Sequence, residues 1–385
     1  MKVSKRIQDI SPFHVMDILA RAKQLESKGL DVIHLEVGEP DFKTPDAVKA
    51  AAKQAIDENK TFYTAATGLP ELREKISAYY KIRLSTDVAA KNIIITPGAS
   101  GALQLILASV VDPGQKVLMA DPGYPCNRHF VRMLEGCAQT IEVSEASEFQ
   151  LTHQIVRENW STETAAVLLA SPSNPTGTII NREEMQRIIH VVEELGGVLI
   201  VDEIYQGLVY ECENFTAAEY SSNIFVINSF SKYFSMTGWR LGWLIAPDEY
   251  LVAIDRLAQN LFLAPPTVSQ YAALAAFDES SLKIFDAHKD ELQNRRDFLV
   301  AGLKDLGFKI NVTPAGAFYI YADVSFFTDD SYVFCRDLLE TSFVAITPGV
   351  DFGDYNASRY VRFAYTQPIE KLKIALERIG DFVSS

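Results

Sequence analysis

The chain is poor in the residues that build disulfide frameworks and zinc sites. Its 385 residues include four cysteines, none in a C-x-x-C pair, and six histidines scattered without an H-x-x-x-H pair. A structural zinc site needs several such ligands at close spacing, and a disulfide scaffold needs many cysteines in a short chain. We therefore expect no metal site and a fold that depends on an apolar core.

An excess of positive charge is also lacking, and so is any long apolar run. The formal charge is −14, which opposes affinity gained by neutralising the phosphates of a nucleic acid. No stretch of about 18 uninterrupted apolar residues is available to cross a membrane. Residues 1–30 show no apolar segment of signal-peptide length. We expect a cytoplasmic protein with neither nucleic acid nor membrane as a partner.

What the chain does have is a long alternation of short apolar runs and amphipathic stretches. Its length exceeds that at which single cores usually stop growing, so two domains are expected. The apolar runs predict strands at Asn92–Thr96, Lys116–Ala120, Ala165–Ala170, Val198–Asp202, Ile224–Asn228 and Gly242–Ala246. The stretches between them, such as Ala99–Val110 and Arg182–Leu195, have helical spacing. The alternation predicts an α/β fold, with a mostly parallel mixed sheet sandwiched by helices.

The pattern changes in the last third of the chain. A long helical segment is followed by two sparser strands and a final helix, at Leu282–Leu306, Ala317–Asp323, Arg359–Ala364 and Ile369–Phe382. The residues before Pro45 are too few to form a domain of their own. We therefore predict a large domain over residues 45–280 and a smaller, discontinuous α+β domain formed by residues 1–44 and 281–385.

Polar residues follow several predicted strands, where the ligands of open α/β sheets gather. The run TPGASG, Thr96–Gly101, opens a helix with small residues and so leaves backbone N–H groups available to an anion. It matches neither G-x-G-x-x-G nor the Walker pattern, so a dinucleotide or Walker-type site is not supported. An ordinary helix cap made by Thr96 or Ser100 explains the run equally well.

Three further strand ends carry candidate side chains. In SPSNPTG (171–177), prolines lie on either side of Asn174 and make the turn rigid. An apolar strand ends on Asp202, whose carboxylate needs a cationic or donor partner if it is buried. The segment 229–240 places Lys232 among hydroxyl and apolar groups, with Arg240 following. Taken singly, a turn, a helix cap and a solvent-reaching lysine explain these features.

The order of these residues is more specific than any one of them. In sequence order and approximate separation, the chain resembles the active-site set of the class I/II aminotransferases, the aspartate aminotransferase superfamily of pyridoxal 5'-phosphate (PLP) fold type I. The matching residues are Gly98–Gly101, Tyr124, Asn174, Asp202, Tyr205, Ser229, Lys232, Arg240 and Arg362. The strings VGEPDF (37–42), YTAATGLPELR (63–73), SNPTG (173–177) and GWRLG (238–242) support the resemblance, which runs from about residue 5 to the C-terminus.

The resemblance implies PLP as cofactor and Lys232 as its Schiff-base lysine, which also moves the substrate α-proton. By the same resemblance, Asp202 keeps the pyridine nitrogen protonated, and Tyr205 and Asn174 donate to the phenolic oxygen of the ring. Lys232, Asp202 and Tyr205 are the expected catalytic residues.

The resemblance also implies how the rest of the cofactor is held. The backbone N–H groups of Ala99 and Ser100 are expected to bind the phosphate, together with the hydroxyl of Ser229 and the guanidinium of Arg240. Tyr124 is expected to stack on the face of the ring.

Substrate binding and assembly follow from the same comparison. Arg362 resembles the arginine that binds the substrate α-carboxylate as a bidentate pair, and Gly38 and Asn174 are expected to line the substrate pocket. In the family, the residue at the position of Tyr63 reaches the phosphate in the neighbouring subunit. The resemblance therefore implies a homodimer with shared active sites.

One position departs from the pattern of some bacterial aspartate aminotransferases. Ser100 stands where those enzymes carry a lysine that helps to bind a side-chain carboxylate, so strict specificity for acidic amino acids is not expected. Phe13, Phe42, Phe262 and Phe318 are candidates for an apolar or aromatic substrate pocket. In a chain with 22 phenylalanines, core packing is the favoured role for each of them.

Three functions remain open at this point. The first is an aminotransferase that moves the amino group of an L-amino acid to a 2-oxo acid, 2-oxoglutarate or pyruvate, by a ping-pong mechanism. The second is a carbon–sulfur β-lyase or a related lyase of the same fold. The third, a non-catalytic binding module, is disfavoured because Lys232, Asp202 and Arg362 are all present.

Overall fold

The computed structural model describes residues 3–384. Within them, the α-helices are α1 Lys5–Gln8, α2 His14–Glu26, α3 Asp46–Asp57, α4 Pro70–Leu84, α5 Gly98–Val110, α6 Pro125–Met133, α7 His153–Asn159, α8 Arg182–Glu194, α9 Leu251–Leu261, α10 Thr267–Leu274, α11 Glu279–Asp305, α12 Ser331–Ser342 and α13 Ile369–Val383. The strands are β1 Ile33–His34, β2 Ile93–Thr96, β3 Lys116–Asp121, β4 Cys137–Glu142, β5 Thr164–Ala170, β6 Val198–Asp202, β7 Phe225–Ser229, β8 Gly242–Ile245, β9 Tyr319–Asp323, β10 Val344–Ala345, β11 Thr347–Pro348 and β12 Tyr360–Ala364. None of the helices in this range is long and apolar enough to cross a membrane.

The central sheet has the strand order β2-β8-β7-β6-β5-β3-β4. Neighbouring strands from β7 to β4 are parallel, whereas β8 runs antiparallel to both β2 and β7. The six strands predicted for this region are all present, and the mostly parallel mixed sheet is confirmed. The edge strand β4 was not predicted from the sequence.

Alternate residues of the central strands face opposite helical layers, as the period of two in a strand requires. One apolar cluster joins helices α5, α6 and α9 to one face of the sheet, with Val117, Met119, Ala166, Leu168 and Ile200 from the strands. The other cluster includes helix α8 and receives Leu118, Val167, Leu169, Leu199 and Val201 from the opposite face. The predicted sandwich of helices around the sheet is therefore confirmed.

The N-terminal segment joins the C-terminal part of the chain through short strands. β1 pairs in parallel with β10, and the carbonyl of Leu35 accepts the N–H of Ala364 at 2.7 Å. Strands β11, β12 and β9 form a separate antiparallel sheet. The division into domains 45–280 and 1–44 with 281–385 stays a prediction, which these pairings support.

The topology explains where the polar residues at the strand ends lie. Thr96, the last residue of β2, pairs with Gly242, and Gly242 also pairs with Ser229, the last residue of β7. Asp202 ends the neighbouring parallel strand β6. Because β8 is antiparallel, Arg240 precedes it at the same edge. The carboxyl ends of the parallel strands and the amino end of β8 thus meet at one place, where open α/β sheets bind their ligands.

Candidate active site

A cavity of about 280 Å³ opens at this edge of the sheet. Eleven of the predicted site residues line it: Gly38, Ala99, Ser100, Tyr124, Asn174, Asp202, Tyr205, Ser229, Lys232, Arg240 and Arg362. The fold therefore brings together residues from the N-terminal segment, the central sheet and strand β12. Tyr63 does not line the cavity, and its side chain is 81% exposed.

Lys232 lies in the segment that follows β7, with its amine inside the cavity. Its Nζ donates a hydrogen bond to the carbonyl of Gly38 at 2.7 Å and lies 5.6 Å from the ring centroid of Tyr205. Burial, together with repulsion by the guanidinium groups of Arg362 and Arg240, lowers the pKa of Lys232 to about 8. The amine therefore has a substantial uncharged fraction near neutral pH, which a nucleophile or a base requires.

Asp202 presents a carboxyl group at the end of β6. One of its oxygens, Oδ1, accepts the N–H of Ile204 at 3.1 Å. Burial raises the pKa of Asp202 to about 7, although this hydrogen bond and the charge of Lys232 oppose the rise. A carboxyl group in this state is matched to a cationic N–H partner, because such a partner stabilises its ionised form.

Aromatic side chains form one wall of the cavity. The hydroxyl groups of Tyr205 and Tyr319 share a hydrogen bond of 3.0 Å, and burial raises the pKa of Tyr205 well above its ordinary value. Tyr205 packs edge-on against Phe318, with 5.3 Å between ring centroids. Burial also raises the pKa of Tyr124, so both tyrosines are protonated donors at neutral pH.

The start of α5 leaves backbone N–H groups uncapped at the floor of the cavity. The residue at the cap position is Pro97, and no side chain bonds to the first turn. The alternative explanation for this run, a cap made by Thr96 or Ser100, is therefore wrong, because the hydroxyl of Thr96 donates to the carbonyl of Gly98 instead. Uncapped N–H groups at a helix start favour an anion.

Arg240 and Ser229 face the same helix start. A Cβ built on Gly98 would lie 2.7 Å from Nη2 of Arg240, and Gly98 has a φ of +72°, so glycine allows this approach. The buried hydroxyl of Ser229 accepts the N–H of Ser231 at 3.0 Å. A guanidinium, a hydroxyl and free N–H groups therefore line the same cavity, and this set of donors suits a phosphate.

Arg362 projects from β12 at another side of the cavity and is 4% exposed. Its Nη1 donates to Oδ1 of Asn174 at 2.8 Å, and its Nη2 donates to the carbonyl of Glu36 at 2.6 Å. Its Nε is buried and has no partner among the described residues. The guanidinium lies 4.3 Å from the ring centroid of Tyr319. A buried cation with a spare donor is suited to a carboxylate ligand.

Of the lining residues that the sequence analysis missed, two lie closest to the predicted site residues. Tyr319 contacts three predicted site residues, because a Cβ on Gly38 would lie 2.1 Å from its hydroxyl, and it also touches Tyr205 and Arg362. Glu36 lines the cavity with a fully buried side chain. Tyr319 belongs to β9 and Glu36 to the segment after β1, and no short motif marks either one.

The four candidate phenylalanines separate into two groups. Phe13 lines the cavity, which corrects the favoured assignment of this residue to the core. Phe42 stacks on His288 with 4.0 Å between ring centroids, and Phe318 is fully buried against Tyr205. Phe262 lies near Gly101. These last three do not line the cavity.

The fold and the site now define the class of protein. Residues 30–379 match the model of the family "Aminotransferase class I and II", and the chain belongs to this family, as the resemblance predicted. Members of the family are generally PLP-dependent.

The relatives carry several different substrate names. The (5-formylfuran-3-yl)methyl phosphate transaminase of Methanocaldococcus jannaschii is 41% identical and matches 99% of this chain and 100% of its own. The valine–pyruvate aminotransferase of Mycobacterium tuberculosis is 40% identical over 98% and 97%. Among solved structures, the aspartate aminotransferase of Thermus thermophilus with maleate has a TM-score of 0.93 at 33% identity, covering 99% of both chains. This chain is thus an aminotransferase of PLP fold type I.

Proposed function

We propose that the chain binds PLP and moves the amino group of an L-amino acid to a 2-oxo acid, pyruvate or 2-oxoglutarate, by a ping-pong mechanism. The observation that carries the proposal is the meeting of Lys232, Asp202 and Arg362 in one cavity. They supply an amine of low pKa, an acid for a ring nitrogen and a cation for a carboxylate. The name of the Mycobacterium tuberculosis relative supports pyruvate as acceptor.

The side chains present fit this cofactor. The uncapped start of α5, with Ala99 and Ser100, would hold the phosphate together with Ser229 and Arg240. Asp202 would pair with the protonated ring nitrogen, which would return its pKa towards the ordinary range. When bound, PLP supplies a ring that accepts the electron pair of the Cα–H bond.

The remaining groups orient this ring and stabilise its charge. Tyr205 and Asn174 would donate to the phenolic oxygen, and Tyr124 would lie against the ring face. These donors are buried or partly buried and fixed by other contacts. They therefore need little reorganisation when charge develops.

Lys232 and Arg362 act on the substrate itself. Arg362 would bind the α-carboxylate with its free Nε and a second N–H of an Nη group, while its hydrogen bond to Asn174 is kept. This contact fixes the direction of the Cα–H bond. The pKa of Lys232 is about 8, so about a tenth of the amine is uncharged at pH 7. In this form it would remove the substrate α-proton and return it to the cofactor.

The test is a comparison of Lys232→Ala with Lys283→Ala, a lysine that is 73% exposed on its side chain. Borohydride reduction of the wild type should fix the cofactor to Lys232 in a peptide map. Lys232→Ala should lose about 10²- to 10⁴-fold in transamination rate, whereas Lys283→Ala should be unchanged.

Two results would contradict the proposal. Full transamination by Lys232→Ala, or a cofactor fixed elsewhere, would overturn the role of this lysine. Release of ammonia or thiol from an amino acid without any 2-oxo acid would instead support the lyase alternative.

A further inference from the structure

One side of the cavity is apolar and has no part in the proposed roles. It is formed by the start of α2 and by α6, with Phe13, Val15, Met16, Leu19 and Phe130. Val15 is 7% exposed and Met16 is 56% exposed, so this apolar wall extends from the interior to the mouth. The one polar side chain that α6 adds to the lining is the neutral Asn127.

The apolar wall is held in place by contacts from other parts of the chain. The carboxylate of Asp351 accepts the N–H groups of His14 and Val15, both at 2.8 Å. The preceding arm is tied to α6 by an ion pair between Asp9 and Arg132 at 2.7 Å. The apolar wall is therefore held in a fixed position, where a substrate side chain that enters the cavity contacts it.

The residues that this chain contributes to the cavity leave no cation for a second substrate carboxylate. The described residues that line it include three cations, Lys232, Arg240 and Arg362, and each already has a part in the proposed mechanism. Glu36 adds a fully buried carboxyl group whose Oε2 has no partner among the described residues. A carboxylate on a substrate side chain would lose its water without gaining a partner, which is unfavourable.

We propose that the apolar wall binds the substrate side chain and selects amino acids with uncharged, apolar side chains. This inference rests on the proposed aminotransferase function. Donor and acceptor pass through the same cavity in a ping-pong reaction, so the same wall selects the acceptor. The acceptor is then a monocarboxylic 2-oxo acid of the pyruvate type, and dicarboxylic 2-oxoglutarate is a poor one.

Acids that lack an amino group test the wall without any turnover. The probes are 4-methylpentanoate and glutarate, which have similar lengths but carry one and two carboxylates. Calorimetry on the holoenzyme should show that 4-methylpentanoate binds at least about tenfold more tightly. Half-reactions with leucine and glutamate should show the same order in kcat/KM.

Two arginine substitutions on one helix sharpen the test. Met16→Arg places a cation at the wall and should bring the affinity for glutarate up to or above that for 4-methylpentanoate. Ala20→Arg adds the same charge at an exposed position of α2 that does not line the cavity, and it should leave the preference unchanged.

The outcomes separate this inference from the proposed function. Equal or tighter binding of glutarate by the wild type would overturn the apolar selection, and so would the failure of both acids to bind. If borohydride still fixes the cofactor to Lys232 in that case, the aminotransferase proposal stands. If it does not, the proposed function itself has failed.

Discussion

Burial shifts the pKa values of two single residues in the cavity. Burial raises the pKa of Asp202 to about 7 and lowers that of Lys232 to about 8. Both groups are therefore pushed towards their neutral forms before a cationic ring is bound. The chain without cofactor bears this unfavourable burial, and we expect a suitable ligand to relieve it.

Replacing Asp202 by asparagine should stabilise the cofactor-free chain at high pH. The pKa of this carboxyl group is raised above its ordinary 3.8, so the folded state binds its proton more tightly than the unfolded state does. The free energy of unfolding therefore falls as the pH rises from about 4 to about 7. We compare the free energy of unfolding of Asp202→Asn with that of the wild type by urea unfolding. The difference, variant minus wild type, should be about 2 kcal/mol larger at pH 8 than at pH 5.5.

The control for this prediction is Asp17→Asn, which removes an exposed carboxyl group of α2. That variant should follow the wild type at both pH values. A difference between Asp202→Asn and wild type that does not grow with pH would show that the carboxyl group is not shifted upward. Asp202→Asn should also be a poor aminotransferase, because an amide is a weaker partner than a carboxylate for a protonated ring nitrogen.

The sequence predicted the polar groups of the site far better than their partners. Lys232, Asn174 and Arg362 stand in ordered strings, and strings of this kind are visible without a fold. Tyr319 lies on β9, where every residue is buried, so the sequence does not show which of its side chains face the cavity. Glu36 lies after β1, outside the strands, and its carbonyl meets Arg362 only in the folded chain.

At the scale of elements, helix α2 is capped by a distant residue. The cap position, Phe13, contributes no side-chain hydrogen bond. Asp351, more than 330 positions later in the chain, accepts the N–H groups of His14 and Val15 instead. Because α2 carries part of the apolar wall, this contact links the C-terminal part of the chain to the cavity.

Removing this cap should affect both stability and substrate binding. Asp351→Ala leaves two N–H groups without an acceptor, which costs about 1–2 kcal/mol of stability. The wall then shifts, and KM for an apolar amino donor should rise several-fold with a smaller change in kcat. The measurements are thermal unfolding and steady-state kinetics with leucine.

A second helix cap separates these two effects. Asp330 caps α12 by accepting the N–H groups of Tyr332 and Val333, and it does not line the cavity. Asp330→Ala should lose similar stability while KM stays unchanged. An equal rise of KM in both variants would mean that the effect of Asp351 is general destabilisation.

Six of the seven strands of the central sheet were predicted within a few residues, because each is a compact apolar run. The strand β4 was missed because its residues are exposed or partly exposed at the sheet edge, so it lacks the compact apolar run of a central strand. The antiparallel direction of β8 was not predictable from its residues either. Its sequence is as apolar as that of its parallel neighbours, and direction is set by the connections.

At the scale of the whole molecule, Tyr63 is the predicted site residue that does not line the cavity of its own chain. Phe62 and Tyr63 are 78% and 81% exposed. Hydrogen bonds from Thr267 to the carbonyl of Phe62 at 2.8 Å and from Gln270 to Thr64 at 3.0 Å hold the loop against α10. Two exposed aromatic rings on a well-held loop are typical of an interface. We therefore propose a homodimer in which each site receives Tyr63 from the partner subunit.

Mixing two inactive variants tests this assembly. If Tyr63 serves the neighbouring site, a hybrid of Tyr63→Arg and Lys232→Ala subunits has one intact site and one that carries both lesions. Random exchange at equal amounts should then restore about a quarter of the wild-type activity. Lys232→Ala mixed with Asp202→Ala is the matched control and should restore no activity, because both residues belong to the same chain's cavity and every hybrid site is damaged.

Two outcomes would contradict the shared site: an active monomer in sedimentation, or no recovery of activity after exchange is verified with mass-labelled subunits. Either outcome would leave the assignments of Lys232 and Asp202 unaffected.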